Sequence, residues 1–80
     1  MPNNSNEVEV HVSSYTRGGT FETVKAEKLS EIYDEYSIDA SEAVVELTGE
    51  DGEERWALPS ARLVEGDTII IMKSKNKSGN

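Results

Sequence analysis

Few residues of this chain have side chains suited to chemistry, and they are scattered. His11 is the only histidine, and the chain contains no cysteine. Because no second type of ligand stands near His11 in the sequence, a surface or cross-strand packing role is favoured over acid–base catalysis or metal binding. Ser13 and Ser14 lack the G-x-S-x-G context of a serine nucleophile. We therefore predict no catalytic residue, no metal and no cofactor.

One turn of the chain is dense in carboxylates, the groups that bind Ca²⁺. These residues are Glu50, Asp51, Glu53 and Glu54. Their spacing does not match the calcium loop of an EF-hand, so a solvated turn is the favoured interpretation. The glycines likewise lack the spacing of a phosphate-binding loop. These patterns together predict a protein that is not an enzyme.

Size and charge narrow the class of protein further. A chain of 80 residues forms one domain that buries roughly 60% of the unfolded chain's surface. The net charge of −8 argues against direct binding to nucleic acid or acidic lipid and favours a protein partner that is basic or neutral. The lack of cysteine excludes a disulfide scaffold, and the sequence has neither a signal peptide pattern nor a run long enough to span a bilayer. We therefore expect a cytoplasmic protein with no membrane partner.

The strongest structural signal is the segment that follows Gly66 and Asp67. Glycine accepts positive φ and aspartate can bond its own backbone, so this pair predicts a turn. The β-branched run of Ile69, Ile70 and Ile71 then predicts an interior strand, because consecutive apolar residues suit a strand covered on both faces. Ile69 and Ile71 are expected to lie beneath a helix.

The first part of the chain predicts a β-hairpin. Valine alternates with polar residues over residues 7–13, which predicts a strand with one buried face. Residues 14–19 include two glycines and predict the hairpin loop. Residues 20–23 predict a short second strand with Phe21 inward.

Helical spacing of apolar residues predicts one helix over residues 25–36, capped by Thr23. Its apolar face consists of Leu29, Ile32, Tyr33 and Tyr36. Its other face carries Glu27, Glu31, Asp34 and Glu35. Like charges four residues apart, and negative charge near a helix C-terminus, are both destabilising, so stability alone does not account for this acidic face.

The second half of the chain predicts three more strands. Residues 43–48 predict a third strand with Val45 and Leu47 inward. Residues 53–57 predict a short fourth strand that Pro59 ends, before the final strand.

The two ends of the chain are polar and predict no packed structure. We expect a disordered leader over residues 1–6, a folded domain over residues 7–73 and a mobile tail over residues 74–80.

The order strand, strand, helix, strand, strand, strand resembles the ubiquitin-like β-grasp superfamily. The segment 63–71, LVEGDTIII, is similar to the last strand of the small sulfur carriers of thiamine and molybdopterin synthesis. The resemblance implies an α+β fold with a mixed sheet, one helix on one face, and the first and last strands parallel at the centre. Carriers end in Gly-Gly, which is activated as an adenylate, whereas this chain ends at Gly79 and Asn80. A sulfur carrier or protein modifier with an altered tail is therefore an alternative function.

Acidic residues are segregated along the chain, since no lysine or arginine occurs between Glu31 and Glu54. We group five of them as a candidate acidic surface: Glu31, Asp34, Glu35, Glu42 and Glu46. Solubility or adaptation to a salty cytoplasm is one interpretation, and a docking surface for a basic protein is the other. An inhibitor that mimics nucleic acid is a special case of the second.

Alternation along the strands predicts an apolar patch on the face of the sheet opposite the helix. If Ile69 and Ile71 face the helix, then Ile70, Met72 and Val44 face away from it.

His11 is expected at the border of this patch, and Trp56 is either a core residue or an exposed anchor. The resemblance implies that partners recognise this face, whereas ordinary surface hydrophobicity or a homodimer contact is the alternative. The leading hypothesis is a non-enzymatic protein–protein interaction module.

Overall fold

The computed structural model of the protein describes residues 6–74. The predicted tail beyond residue 74 and the predicted leader, apart from Asn6, lie outside the described residues. The described part of the chain forms a five-stranded sheet with one α-helix packed on one face. The strands are β1 (Val8–Ser14), β2 (Glu22–Ala26), β3 (Ala43–Thr48), β4 (Glu54–Arg55) and β5 (Thr68–Lys73), and the helix is α1 (Leu29–Tyr36). Short 3₁₀ helices span Tyr15–Arg17 and Ala40–Glu42.

The final strand lies at the centre of the sheet, as its sequence predicted. The strand order is β2-β1-β5-β3-β4, in which β5 runs parallel to β1 and antiparallel to β3. Ile69 and Ile71 are buried, whereas Ile70 is half-buried and Met72 is exposed. Only one face of β5 is therefore fully covered, so the prediction of cover on both faces was wrong. This α+β architecture, with parallel first and last strands, is a β-grasp-like arrangement.

The core lies between α1 and the covered face of the sheet. Its buried apolar residues are Val10, Val12, Ala26, Leu29, Ile32, Tyr36, Leu47, Leu63, Ile69 and Ile71. The predicted helical face is confirmed, since three of its four residues are in this core and Tyr33 packs against it. Val45 also packs against the core, as predicted for the third strand, and β3 has the predicted bounds. After α1, Ser37 adopts a left-handed conformation that ends the helix.

The helix is shorter than predicted because its first residues belong to β2. Thr23 pairs with His11, and Lys25 pairs with Glu9, in the antiparallel ladder between β1 and β2. Thr23 is therefore not a cap, and the residue that precedes α1 is Lys28, whose side chain makes no capping hydrogen bond. Lys25 and Ala26, the first two residues of the predicted helix, are held in this ladder by their pairing with β1.

Two smaller predictions about strand ends were wrong. Phe21 was expected to face inward in a strand over residues 20–23, but β2 spans Glu22–Ala26, so Phe21 precedes the strand and is 54% exposed. The fourth strand was expected over residues 53–57, but β4 contains only Glu54–Arg55. The hairpin loop is confirmed in its glycine positions, since Gly18 and Gly19 both have positive φ.

Candidate functional site

The face of the sheet opposite α1 carries a small apolar patch, which we call the open-face patch and define as Val44, Ile70 and Met72. Val44 and Met72 are directly paired across β3 and β5, and they are 47% and 40% exposed. Ile70 lies between Glu46 on β3 and Ser13 on β1. Because side chains alternate along a strand, these residues point away from the core residues Val45 and Ile71. The sequence-predicted residues of this patch are therefore neighbours.

The acidic residue Glu46 lies inside the same surface. It is exposed, it pairs with Ile70, and it lies two positions from Val44 on the same side of β3. A carboxylate next to an apolar patch gives the surface both a hydrophobic and an electrostatic preference. Such a surface is complementary to a partner that has an apolar side chain beside a lysine or an arginine.

His11 lies on the open face but not directly beside the open-face patch. It precedes by two positions Ser13, the residue of β1 that pairs with Ile70. It pairs with Thr68 on β5 and with Thr23 on β2, whereas Ile70 pairs with Ser13. The Nδ1 atom of His11 is 3.3 Å from the Oγ1 atom of Thr23. The histidine therefore stands among threonines in the middle of the open face. In the described part of the chain no cluster of residues has the composition of a metal site.

Trp56 is an exposed residue rather than part of the core. It is 84% exposed and follows β4 directly, at one edge of the sheet. Together with Glu54 and Arg55 it lines a surface recess of about 300 Å³. Leu58, two residues further along, is 56% exposed. The segment after β4 thus presents two large apolar side chains to solvent.

The five residues of the predicted acidic surface do not share one face. Glu31, Asp34 and Glu35 are exposed on α1, and Glu42 ends the 3₁₀ helix before β3. Glu46 lies on the open face, which is the other side of the sheet from α1. Two helical members of the set also make local contacts. The Oε1 atom of Glu31 accepts a hydrogen bond from the backbone N–H of Glu27 at 3.0 Å, and Glu35 is 3.9 Å from Arg17.

A polar cluster at the C-terminal end of α1 was not predicted from sequence. The hydroxyl of Tyr36 donates a hydrogen bond to Glu22 at 2.6 Å, and the guanidinium of Arg17 lies 4.4 Å from the centre of the Tyr36 ring. Arg17 also donates to the carbonyl of Glu35 at 2.9 Å. Burial and the neighbouring Glu22 carboxylate raise the pKa of Tyr36 to about 12. The cluster fastens the hairpin loop to the C-terminal end of the helix.

A buried ion pair connects the sheet edge to the start of the central strand. The side chain of Asp67 is fully buried and accepts hydrogen bonds from both terminal nitrogens of Arg55, at 2.8 and 2.7 Å. It also accepts from the backbone N–H of Val64 at 2.7 Å, which closes the turn predicted around Gly66. The hydrogen bonds from Arg55 to the Asp67 carboxylate raise the pKa of the Arg55 guanidinium. The pair lies in the wall of a recess of about 400 Å³ that Glu50, among others, also lines.

Sequence reasoning identified Asp67 as a turn residue but missed its partner. Arg55 and Asp67 are twelve positions apart in different elements, so no local period relates them. The one available signal was that Arg55 is the only cation between residues 29 and 61.

No family model matches this chain, and no curated protein matches its sequence. Within residues 6–74, no helix has the length and apolar character needed to cross a membrane. The described residues define an α+β fold with a β-grasp-like arrangement.

Proposed function

We propose that this chain is a small, non-enzymatic, ubiquitin-like interaction module that binds a protein partner through the open face of its sheet. The observation that carries the proposal is the pairing of Val44 with Met72, two exposed apolar side chains on a face that no other described element covers. Such neighbouring apolar side chains on one surface are typical of interaction sites. Nothing in the described residues supports a competing catalytic site.

The charge beside the patch favours a partner of basic character. Glu46 pairs with Ile70, and Glu54, paired with Thr48, lies on the same face at the next strand. Both glutamates are exposed. The proposed partner therefore places an apolar side chain over Val44 and Met72 and a lysine or arginine toward these glutamates.

The nucleic-acid mimic has less support from the geometry. A mimic needs carboxylates repeated along one surface, as phosphates repeat along a strand. Here Glu46 and the helical residue Asp34 lie on opposite sides of the sheet. This arrangement favours a compact docking surface over an extended acidic one.

The sulfur-carrier alternative rests on the fold and on the resemblance of the segment 63–71. Its chemistry requires an activated C-terminal carboxylate, and residues 79–80 lie outside the described part of the chain. Mass spectrometry of the protein from its native cells separates the two functions. Detection of a thiocarboxylate or a covalent conjugate at the C-terminus would favour the sulfur-carrier function over the interaction module.

Paired capture experiments test the open-face patch. Val44→Asp removes an exposed apolar side chain and adds charge in the patch, whereas Phe21→Asp makes the same type of change in the hairpin loop, at a residue that is 54% exposed. Each variant is immobilised and compared with the wild type in capturing proteins from the native lysate. We expect the captured partner to be lost with Val44→Asp and retained with Phe21→Asp. Retention of every partner by Val44→Asp contradicts the proposal.

A further inference from the structure

The outer edge of β4 has backbone groups oriented for pairing with another strand. β4 pairs with β3 on one side, and among residues 6–74 no strand pairs with its other side. The backbone N–H of Gly49 donates to the carbonyl of Glu53 at 2.9 Å, so these two opposed residues form a hydrogen-bonded pair of the hairpin. Because hydrogen-bonded and non-hydrogen-bonded pairs alternate in antiparallel strands, Glu54 directs its N–H and C=O away from β3. β4 ends at Arg55, whose C=O faces β3, so the N–H of Trp56 in the same planar peptide also points away from β3.

The backbone on each side of Trp56 is held in place. Arg55 is fixed by its two hydrogen bonds to buried Asp67. Ala57 packs against the core, and its carbonyl accepts a hydrogen bond from the hydroxyl of Tyr33 at 3.4 Å. The extended segment is therefore anchored while the indole of Trp56 remains 84% exposed. An edge ordered in advance loses less conformational entropy when a second strand binds.

The charge of this edge selects a basic occupant. The exposed carboxylates beside it are those of Glu50, Asp51, Glu53 and Glu54. The nearby cation, Arg55, is already neutralised by Asp67. A second copy of the chain would bring the same carboxylates face to face, which is electrostatically unfavourable. A segment that contains lysine or arginine is attracted to the same edge.

We propose that the outer edge of β4 is a β-augmentation site for an extended, basic segment of a partner protein. The segment forms main-chain hydrogen bonds with Glu54 and Trp56. One of its lysine or arginine side chains enters the recess of about 300 Å³, between the Glu54 carboxylate and the Trp56 indole, where an ion pair and a cation–π contact both form. This site shares Glu54 with the charged border of the proposed open-face interface, but it is centred on the backbone edge of β4 rather than on Val44 and Met72. Its peptide test therefore does not depend on the proposed function.

The test uses a short peptide probe and the intrinsic fluorescence of the protein. Trp56 is the only tryptophan, so the tryptophan emission reports on the surroundings of this one residue. The probe is the blocked hexapeptide acetyl-Lys-Val-Lys-Val-Lys-Val-amide, which alternates basic and apolar side chains. We expect a saturable blue shift of the Trp56 emission, together with NMR amide shifts concentrated at residues 54–56. The absence of saturable binding at millimolar peptide, or amide shifts concentrated at Val44 and Met72, overturns the proposal.

A control peptide separates strand pairing from general charge attraction. N-methylation of alternate backbone nitrogens keeps the charge of the probe but blocks hydrogen bonding along one edge. We expect the methylated peptide whose blocked edge faces β4 to bind more weakly by about tenfold or by a larger factor. Equal binding of the methylated and unmethylated peptides overturns the proposal, because attraction to a protein of net charge −8 then accounts for all of the affinity.

Two variants of Glu54 separate its charge from its backbone donor. Glu54→Gln removes the carboxylate alone, whereas Glu54→Pro also removes the outward N–H without breaking the ladder to β3. We expect Glu54→Gln to weaken binding severalfold and Glu54→Pro to weaken it further. If Glu54→Pro binds as well as Glu54→Gln, the edge is not the site. Analytical ultracentrifugation tests whether a second copy of the chain occupies this edge instead. A wild-type dimer that Glu54→Pro abolishes would show that it does, and would overturn the proposal.

Discussion

Asp67 accepts hydrogen bonds from both terminal nitrogens of Arg55 while its own side chain is fully buried. The pair joins the short strand β4 to the first residue before β5. The buried carboxylate is stabilised by three hydrogen bonds, two from Arg55 and a third from the backbone N–H of Val64. Since β4 contains only two residues, this ion pair adds a side-chain attachment to its short backbone ladder with β3.

We predict that Asp67→Asn destabilises the protein by about 1–3 kcal/mol, because the partly buried guanidinium of Arg55 loses its counter-charge and at least one acceptor. The Arg55 side chain is 34% exposed, so water partly replaces the lost partner. The matched control is Arg62→Gln, which breaks the exposed 3.3 Å ion pair with Glu27. We expect this control to change the free energy of unfolding by only about 0–1 kcal/mol. Urea denaturation measures both changes in the free energy of unfolding. Equal changes would show that the Arg55–Asp67 pair contributes no more to stability than the exposed Arg62–Glu27 pair.

We predict that Ile71→Ala lowers the free energy of unfolding by about 2–5 kcal/mol. The Ile71 side chain is only 2% exposed, so its truncation leaves a cavity beneath α1. A domain of this size has little stability in reserve, so the loss is large enough to unfold a substantial fraction of the protein. Ile70→Ala on the half-buried side of the same strand is the control, and its cost should be smaller. Circular dichroism during thermal unfolding ranks the two variants. An Ile71→Ala protein that melts like the wild type would contradict the assignment of the core.

The central part of this fold was predictable because its signals are local. The run from Ile69 to Ile71 after Gly66 identified β5, and alternation identified the inward side of β3. The helix start was mispredicted because the apolar spacing that identified the helix begins only at Leu29, so it did not determine whether residues 25–28 belong to a helix or to a strand. The pairing with β1 decides between them, and that pairing connects residues up to 18 positions apart, as in Val8 with Ala26.

The exposed site was predictable only in part. Register follows from alternation, so the sequence placed Val44, Ile70 and Met72 on one face. The exposure of Trp56 depends on where β4 ends and on the absence of a further strand, and neither is encoded in the residues around it. The contact between Arg17 and Tyr36 likewise depends on how the hairpin loop folds back over α1.

We predict that Tyr36 titrates with a pKa of about 12 and that its raised pKa makes stability fall at alkaline pH. The unfolded state loses the tyrosine proton near pH 10, before the folded state does. The stability that Tyr36 contributes is therefore fully present below about pH 10 and is lost as the pH rises toward about 12. The difference between the ultraviolet titrations of the wild type and Tyr36→Phe measures this pKa. Glu22→Gln should lower it, since it removes the carboxylate that raises it, and an unchanged midpoint in that variant would contradict the assigned cause.

We predict that Val44→Asp leaves the melting temperature nearly unchanged, because Val44 is 47% exposed and its cross-strand partner is the uncharged Met72. Ile70→Asp should destabilise the protein measurably, because it buries part of a carboxylate directly opposite Glu46. Scanning calorimetry at low salt compares the two variants, and added salt should reduce the deficit of Ile70→Asp. If Val44→Asp unfolds the protein instead, the open face is not a free surface and the proposed docking site is wrong.

We predict that Gly66→Ala is more destabilising than Gly52→Ala, although both glycines have nearly the same positive φ, +88° and +87°. In each variant the left-handed backbone of an alanine costs about 1–2 kcal/mol. A Cβ atom at Gly66 would in addition lie 3.0 Å from Cδ and 3.3 Å from Cβ of Glu50, whereas a Cβ at Gly52 would meet nothing within 4 Å. Glu50→Ala should therefore reduce the cost of Gly66→Ala and leave the cost of Gly52→Ala unchanged. Chemical denaturation of the single and double variants measures this coupling, and equal costs at the two glycines would show that the turn before β5 has room for a side chain.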